Sequence, residues 1–411
     1  TSVVGKLFEG LLRDHIQNYV LENAIMSSNQ HGFMKDRSCQ TNVIAFYDEV
    51  SKKLDSGDAV DIIYLDFAKA FDTIPHKRLL SKLRSIGLSE VVGIVPRDWK
   101  KANVIPLFKK GVRSQPGNYR PVSLTSVVGK LFEGLLRDHI QNYVLKQATY
   151  TLNGTALGKS IMEKDLGVFV DKHLTKLENW AANWKMRFNV DKCKVMHFGR
   201  NNNMQATYTL NGTALVKFIM EKDLGVLVDH KLNKPQRVAL SRQCMAQIGS
   251  IGKGIDSRDK NIILPLSRSL VRPHLEYAAQ FWAPVLRKDI HELERVQRRA
   301  TKLVKRMEDL NSEVRLSRLR LFSLEKRRLR GDMITLYKYI RGDYRQLGDV
   351  LFSHKNNQRT RGHPFRLEER SFHLKQRRWF FTVRAVRLWN ALPSDVVMAD
   401  SVNAFKRGLD E

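Results

Sequence analysis

The chain has 411 residues, 42% of them hydrophobic, which allows two to three domains with sizeable cores and excludes a disordered protein. Lys and Arg outnumber Asp and Glu by 71 to 42, so the formal net charge is +29. Such an excess predicts a polyanionic partner, and nucleic acid is favoured over a membrane surface because the cations run through most of the length. A basic surface that is merely solvated is the alternative.

Cysteine, histidine and apolar patterns exclude further kinds of protein. Cys39, Cys193 and Cys244 are far apart, which predicts free thiols and no zinc knuckle or disulfide framework. The twelve histidines lack metal-ligand spacing, so we expect them at the surface or at helix caps. No apolar run reaches the roughly 18 residues of a membrane span, and the start lacks a signal-peptide pattern. We therefore expect no membrane partner and an intracellular protein, nuclear, cytoplasmic or both.

The first predicted element is an amphipathic helix at Thr1–Leu21, whose apolar residues recur at helical spacing. The same segment returns without a change at Thr125–Leu145. A solenoid would need a constant short period, so an exact repeat at this distance indicates recent duplication or misjoined exons.

A buried strand is predicted at Ile62–Leu65, which is apolar and β-prone. Asp66 follows at its C-terminal end, where strand-borne carboxylates commonly meet metals. The alternative is that Asp66 and the nearby Asp72 only cap the turn or helix after the strand.

A second repeat predicts two hairpins. Gln147–Leu174 recurs at Gln205–Leu232 with five differences, and its Asn153-Gly154 and Asn211-Gly212 pairs suit the positive φ angles of a tight two-residue turn. A strand at Asp223–Asp229 is expected to follow the second hairpin. Two copies of one helix compete for one groove, and two copies of one hairpin compete for one sheet edge. We therefore expect the segment from residue 125 to 174, which holds one copy of each, to be displaced from the native packing.

The C-terminal half predicts basic helices. One helix has a stripe formed by Ile290, Leu293, Val296, Ala300, Leu303 and Val304. Its remaining face carries the cations Arg295, Arg298, Arg299, Lys302, Lys305 and Arg306. A second helix continues from Leu324 and contributes Arg327 and Arg328. Because eighteen Lys and Arg face nine Asp and Glu between Arg287 and Arg345, this region is a plausible track for phosphates.

Near the C-terminus, Arg359–His363 and Lys375–Phe381 interleave cations with aromatic residues, a composition typical of nucleic-acid binding. For the Arg clusters we favour nucleic-acid contact. For the aromatic residues we favour the alternative, a place in the core of a small helical unit; these are Trp379, Phe380, Phe381 and Trp389.

Several strings together resemble the reverse transcriptase of jockey-like non-LTR (LINE) retrotransposons. They include Asn29–Phe33, Tyr64–Asp72, Asn118–Ser126, Leu177–Trp184, Leu270–Tyr277 and Leu388–Pro393. The resemblance implies RNA-directed DNA synthesis, RNA and DNA as partners, and Mg²⁺ as cofactor. It also implies an α+β fold, here an incomplete right-hand polymerase with fingers, palm, helical thumb and a basic helical C-terminal region.

The resemblance also implies roles for individual residues. Asp66 matches the first metal-binding Asp, with the backbone carbonyl of Phe67 as a second ligand. Phe71 matches the aromatic residue that stacks near the sugar, and Arg37 matches a fingers Arg that grips the nucleotide triphosphate. Lys192 matches a late-palm Lys that assists pyrophosphate departure.

The chain departs from the family pattern at the catalytic centre. No Asp-Asp dipeptide occurs anywhere, and the block from Pro96 to Leu145 stands after the Asp66 strand instead of before it. Since two-metal phosphoryl transfer needs several carboxylates, we predict no polymerase activity. The predicted parts are 1–93 (fingers/palm fragment), 94–145 (out-of-order fingers segment), 146–232 (late palm with the duplicated hairpin), 233–290 (thumb-like helices) and 291–411 (basic helical region).

Three hypotheses follow. The first is a rearranged and inactive reverse transcriptase remnant. The second is a non-catalytic protein that binds RNA or DNA through its basic C-terminal half. The third, a misassembled reading frame, is supported by the exact repeat.

Overall fold

The structure is a computed structural model with side chains. It describes residues 19, 31, 34, 36–68, 75–85, 103–108, 114, 119–124, 174–199, 206–232, 236–342, 344–355 and 362–410. Apart from Tyr19, which is helical, the predicted Thr1–Leu21 helix lies outside the described residues, as do its copy at Thr125–Leu145, residues 147–173 of the first hairpin copy, and Phe71.

The described strands are short and belong to small sheets. In chain order they are β1 Val60–Tyr64, β2 Phe67–Ala68, β3 Asn103–Phe108, β4 Tyr119–Leu124, β5 Arg187–Phe188, β6 Lys194–Phe198, β7 Thr209–Leu210, β8 Thr213–Ala214, β9 Val216–Lys217, β10 Met220–Asp223 and β11 Val226–Asp229.

Helices account for most of the C-terminal half. In chain order they are α1 Cys39–Asp55, α2 His76–Ser85, α3 Gln236–Gly254, α4 Lys260–Leu266, α5 Arg272–Glu276, α6 Ala279–Trp282, α7 Arg287–Lys302, α8 Ser312–Arg318, α9 Leu324–Ile340, α10 Arg345–Leu351, α11 Lys375–Arg378, α12 Phe381–Asn390, α13 Ser394–Val397 and α14 Val402–Gly408. A further helical stretch covers residues 174–183, Val190–Lys192 forms a 3₁₀ turn, and Ser267–Val271 forms a π-helical turn.

The chain divides into two compact units. The first comprises Thr1–Lys35, Ile62–Val195 and Asn203–Lys217. Here β6 lies between β1 and β9, β2 pairs antiparallel with β5, and β3 pairs antiparallel with β4. The core of this unit is built from buried apolar side chains that include Leu177, Trp180, Phe188, Cys193, Val195, Tyr208 and Leu210.

The predicted hairpin at Asn211-Gly212 is confirmed. Leu210 pairs with Thr213 across a two-residue turn, and both turn residues have positive φ, 51° at Asn211 and 72° at Gly212. This backbone twist matches that of paired strands, which is why Asn-Gly favours such turns.

The second unit comprises Asp36–Asp61, Met196–Asn202 and Phe218–Glu411. Its main core lies along α9 and α12, where Leu336, Phe381 and Trp389 are fully buried, and Ile44 of α1 belongs to the same cluster. The segment before β1 therefore folds with the C-terminal helices, although Ile44 and Leu336 are 292 positions apart in the sequence.

The predicted strand at Asp223–Asp229 is wrong in its middle. Asp223 pairs with Val226, so Leu224 and Gly225 form a two-residue turn between β10 and β11, with φ of 44° and 86°. Tyr277 stabilises this turn because its hydroxyl donates a hydrogen bond to the Leu224 carbonyl over 2.7 Å. A leucine in the left-handed region is unusual, which is why the sequence pattern favours a continuous strand.

Two expectations about polar residues are also wrong. His31, His197 and His363 are buried, and His197 Nδ1 lies 2.7 Å from Asp61 Oδ1. Arg377, expected at a nucleic-acid interface, is buried and paired with Asp48. His197 and Arg377 are each paired with a carboxylate, and His363 Nε2 lies 3.0 Å from the Trp389 carbonyl oxygen. Such pairing offsets the cost of desolvation.

The core assignment of the C-terminal aromatic residues is confirmed for three of them. Phe380, Phe381 and Trp389 are buried, whereas Trp379 is 37% exposed. The α+β class is confirmed as a mixture of helices and small sheets. The finer division into fingers, palm and thumb stays a prediction. Among the residues that the structure describes, no helix is both long and apolar enough for a bilayer crossing.

Candidate active site and basic helix surface

Asp66 lies between β1 and β2, two residues beyond the end of β1, close to the predicted strand end. Its main chain is fixed by the segment before β6. The Asn189 amide donates to the Asp66 carbonyl over 2.8 Å, and the Asp66 amide lies 3.4 Å from Cys193 Sγ. Both backbone polar groups of Asp66 are thus satisfied by one short segment that is distant in sequence.

Phe67 anchors this arrangement in the apolar core of the first unit. It pairs with Phe188 across the β2–β5 ladder, and the two rings stack with centroids 4.6 Å apart. The Trp180 ring lies 6.1 Å from Phe67. Aromatic pairs across a two-stranded ladder add to its stability, so Phe67 helps to fix the position of the neighbouring Asp66.

The structure brings together two residues that the sequence predicts as catalytic. Lys192 Nζ lies 3.1 Å from Asp66 Oδ2, although the residues are 126 positions apart. Both side chains are exposed, Lys192 by 67% and Asp66 by 46%. An exposed pair of this kind contributes about 1 kcal/mol or less to stability, so it is not required for the fold.

Cys193 also belongs to this site, although the sequence pattern does not predict it as a site residue. Its thiol is fully buried and contacts both backbone polar groups of Asp66. Burial raises the pKa of Cys193, and the nearby Asp66 carboxylate raises it further against an opposing backbone hydrogen bond. The thiol therefore acts as a neutral group that helps to position the Asp66 main chain. The sequence feature that could have indicated this role is that Cys193 directly follows Lys192.

The donor set at Asp66 does not fit a pair of divalent ions. The Asp66 carboxylate is paired with Lys192, and the described part of the chain contains no group of three or more His, Cys, Asp or Glu that could hold a metal. Two bound Mg²⁺ ions need several carboxylates to balance their charge. The Mg²⁺ site predicted at Asp66 and the Phe67 carbonyl is therefore not supported by the residues described.

Of the two residues predicted to bind the nucleotide, the structure describes Arg37. Arg37 belongs to the second unit and is half-buried directly before Ser38, the residue that caps α1. Burial lowers the pKa of the Arg37 guanidinium. Phe71 lies outside the described residues, so its predicted role stays a prediction.

The second candidate site is the exposed face of α7, which we call the α7 surface. Leu293 and Val296 on the opposite face are fully buried, and Ala300 is nearly so. The predicted apolar stripe is thus confirmed at its centre. The α7 surface consists of Arg295, Arg298, Arg299 and Lys302, all exposed, and continues past the helix end with Lys305 and Arg306.

Arg327 and Arg328 of α9 are not part of that open surface. Arg327 Nε lies 2.5 Å from Glu276 Oε1. Arg328 is only 8% exposed, and neither of its terminal nitrogens has a hydrogen-bond partner among the described residues. Burial lowers the pKa of Arg328, against the opposing effect of nearby carboxylates led by Glu294. As placed, Arg328 does not present its guanidinium to a nucleic-acid strand.

Comparison with known proteins gives a consistent set of relatives, while no family model matches the chain. The chain is 21% identical over 320 residues to a probable RNA-directed DNA polymerase from transposon BS of Drosophila melanogaster. It is 19% identical over 311 residues to that of transposon X-element of the same species, and 21% identical over 308 residues to the RNA-directed DNA polymerase from mobile element jockey of Drosophila funebris.

These matches cover 72% to 74% of the chain but only 34% to 35% of the relatives. The chain thus spans about a third of the length of the curated relatives it matches. The resemblance to jockey-like elements is confirmed, since these relatives are RNA-directed DNA polymerases of Drosophila transposons and mobile elements, jockey among them, at 19% to 21% identity over 72% to 74% of the chain.

Proposed function

We propose that the chain is a protein derived from a LINE-type reverse transcriptase that binds RNA or DNA and does not synthesise DNA. The α7 surface carries this proposal. Its four helical cations lie on one face, because the last three follow Arg295 by three, four and seven residues, and the opposite face is packed in the core. A helix held in this way presents a fixed row of charges to solvent.

The geometry of the α7 surface suits a phosphate backbone. Arg295 and Lys302 are seven residues apart, which corresponds to about 10 Å along a helix. Successive phosphates of one strand of B-form DNA are about 3.4 Å apart along the duplex axis, so the row spans about three nucleotide steps. Glu292 pairs with Arg295 at 3.7 Å, but both side chains are about 60% exposed, so this pair is weak.

The proposed loss of polymerase activity rests on the Asp66 site. We infer that β1, β2, β5 and β6 are a remnant of a palm in which one carboxylate survives. The described residues supply no group of carboxylates that could hold two ions at this site. Without such a group, in-line phosphoryl transfer loses the electrostatic stabilisation on which it depends.

Two assays on the full chain test the proposal. Binding of labelled RNA and DNA oligonucleotides, followed by fluorescence anisotropy, should be detectable at low salt and weaken steeply as salt rises. Primer extension on an RNA template should give no product that depends on Asp66, with Asp66→Ala as the control. Binding that does not depend on salt, or no binding at low salt, would contradict the proposed binding role. DNA synthesis that depends on Asp66 would contradict the proposed loss of polymerase activity.

A further inference from the structure

A cluster of three arginines lies where α5 meets α9 in the second unit. Arg272 begins α5, Arg268 lies in the π-helical turn immediately before it, and Arg327 lies in the first turns of α9. Pro273 lacks the N–H that a regular helix would use at this point, which accounts for a local departure from α-helical geometry. π-Helical turns of this kind are frequent at functional sites.

Two of these arginines, Arg272 and Arg327, contact the same carboxylate, that of Glu276. Its Oε1 lies 2.5 Å from Arg327 Nε and 4.0 Å from Arg272 Nε. The side chains of Arg272, Arg327 and Glu276 are 24%, 29% and 36% exposed, and Arg268 is exposed. Arg272 and Arg327 thus share one partly buried carboxylate, and Arg268 lies one helical turn before Arg272, so the three arginines exceed the charge of Glu276 by two.

The positive charges of these arginines oppose one another. Burial lowers the pKa of Arg272, and the charges of Arg327 and Arg268 lower it further, with Glu276 as the carboxylate that opposes them. Charges in a partly desolvated place interact more strongly than in water. An anion bound between these guanidinium groups would relieve the repulsion.

We propose that Arg268, Arg272 and Arg327 form a phosphate-binding site, separate from the α7 surface, that takes a phosphodiester group of an RNA or DNA strand. The identity of the ligand rests on the proposed function. Guanidinium groups bind phosphate oxygens through paired, charge-assisted hydrogen bonds, and partial burial makes such contacts stronger than those of fully exposed cations. Arg268 is the open side of the site, because Arg272 and Arg327 already contact Glu276.

The test compares three variants of the full chain by fluorescence anisotropy with a labelled single-stranded oligonucleotide across a salt series. Arg268→Gln should weaken binding about tenfold at low salt, the usual effect of losing one charged hydrogen bond. It should also reduce the slope of log affinity against log salt by about 0.7. Glu276→Gln removes the competing internal anion and should tighten binding. Arg387→Gln removes an arginine of α12 that is also exposed, and should change neither quantity.

Opposite effects of Arg268→Gln and Glu276→Gln would support the site, since unfolding cannot tighten binding. If the wild-type chain binds and Arg268→Gln behaves like Arg387→Gln, the site is overturned while the proposed function stands. If the wild-type chain binds no nucleic acid, the proposed function fails and inorganic phosphate becomes the probe. A phosphate-dependent rise in melting temperature that Arg387→Gln keeps and Arg268→Gln loses would then support the site, and no rise in the wild-type chain would overturn it.

Discussion

Arg377 and Asp48 form a buried ion pair between two segments of the second unit that are 329 residues apart in the sequence. Arg377 Nη1 lies 2.5 Å from Asp48 Oδ1, and the side chains are 3% and 1% exposed. Arg377 also lies within hydrogen-bonding distance of Ser51 Oγ, and the Thr382 hydroxyl donates to Asp48. This network joins α1 to α11 and α12, so α1 is a structural part of the unit that carries the C-terminal helices.

Removing one partner of this pair should destabilise the second unit strongly. Asp48→Ala leaves the Arg377 guanidinium buried without its counter-ion, and we expect a loss of about 3–5 kcal/mol in the free energy of unfolding. The double variant Asp48→Leu with Arg377→Met removes both charges and should recover most of that loss. Urea unfolding followed by circular dichroism measures the free energy of unfolding of the single and the double variant.

Glu49→Ala is the matched control for Asp48→Ala. Glu49 is the next residue of α1 and pairs with Lys53 at 3.6 Å, but its side chain is 41% exposed. We expect a change of less than about 1 kcal/mol. Equal effects of Asp48→Ala and Glu49→Ala would show that burial of the Asp48–Arg377 pair does not matter.

The α7 surface should contribute to nucleic-acid affinity without regard to sequence. Arg298→Gln combined with Lys302→Gln removes two phosphate contacts and should reduce the salt slope by about 1.8 on duplex DNA. Affinities for unrelated sequences should fall by similar factors, since phosphate contacts carry no sequence information. The control pair Arg387→Gln with Arg407→Gln removes two exposed cations from α12 and α14. An identical slope in both double variants would contradict the assignment of the α7 surface.

Local patterns account for what the sequence could predict. The buried stripe at Leu293, Val296 and Ala300 follows from helical spacing, and the Asn211-Gly212 turn follows from residues that tolerate positive φ. Both need information from only a few neighbouring positions. The Leu224-Gly225 turn is not predicted, because a single glycine indicates a turn more weakly than the surrounding apolar residues indicate a strand.

Contacts between distant segments could not be predicted in the same way. The resemblance selected Asp66 and Lys192 separately, and the structure supplies the 3.1 Å contact between them. Arg377 lies in a run of cations, so its charge predicts exposure, and only the position of Asp48 in space explains its burial. The role of Cys193 beside Asp66 depends on the pairing of β2 with β5, which no local pattern encodes.

The three thiols should differ in reactivity in the native chain. Cys39 is exposed, whereas Cys193 and Cys244 are fully buried. Burial raises the pKa of Cys193 and raises the pKa of Cys244 to about 11, so burial disfavours the reactive thiolate at both positions as well as limiting access to them. Titration with a thiol reagent at pH 8 should modify one thiol in the native state and three in urea. Rapid reaction of two or more thiols without urea would show that Cys193 or Cys244 is accessible.

Two glycine-to-alanine substitutions should have opposite effects because the backbone differs at the two positions. Gly212 has φ of +72° in the β7–β8 turn, and an added Cβ would meet no atom within 4 Å. The cost of Gly212→Ala is therefore conformational alone, and we expect a loss of about 1–2 kcal/mol. Gly249 lies inside α3, again with open space around an added Cβ. Gly249→Ala should stabilise the chain by about 0.5–1 kcal/mol, because alanine loses less conformational entropy than glycine in a helix.

The comparison uses urea unfolding of the two single variants against the wild-type chain. The two glycines belong to different units, so the transition of each unit is followed separately through the intrinsic fluorescence of Trp180 in the first and of Trp282 in the second. Replacing each tryptophan in turn by phenylalanine assigns the signals. If Gly212→Ala were neutral, the positive φ of this turn would not be required in solution, and if Gly249→Ala were destabilising, α3 would not be a regular helix at that position. Opposite signs at two equally uncrowded glycines would isolate backbone conformation as the cause.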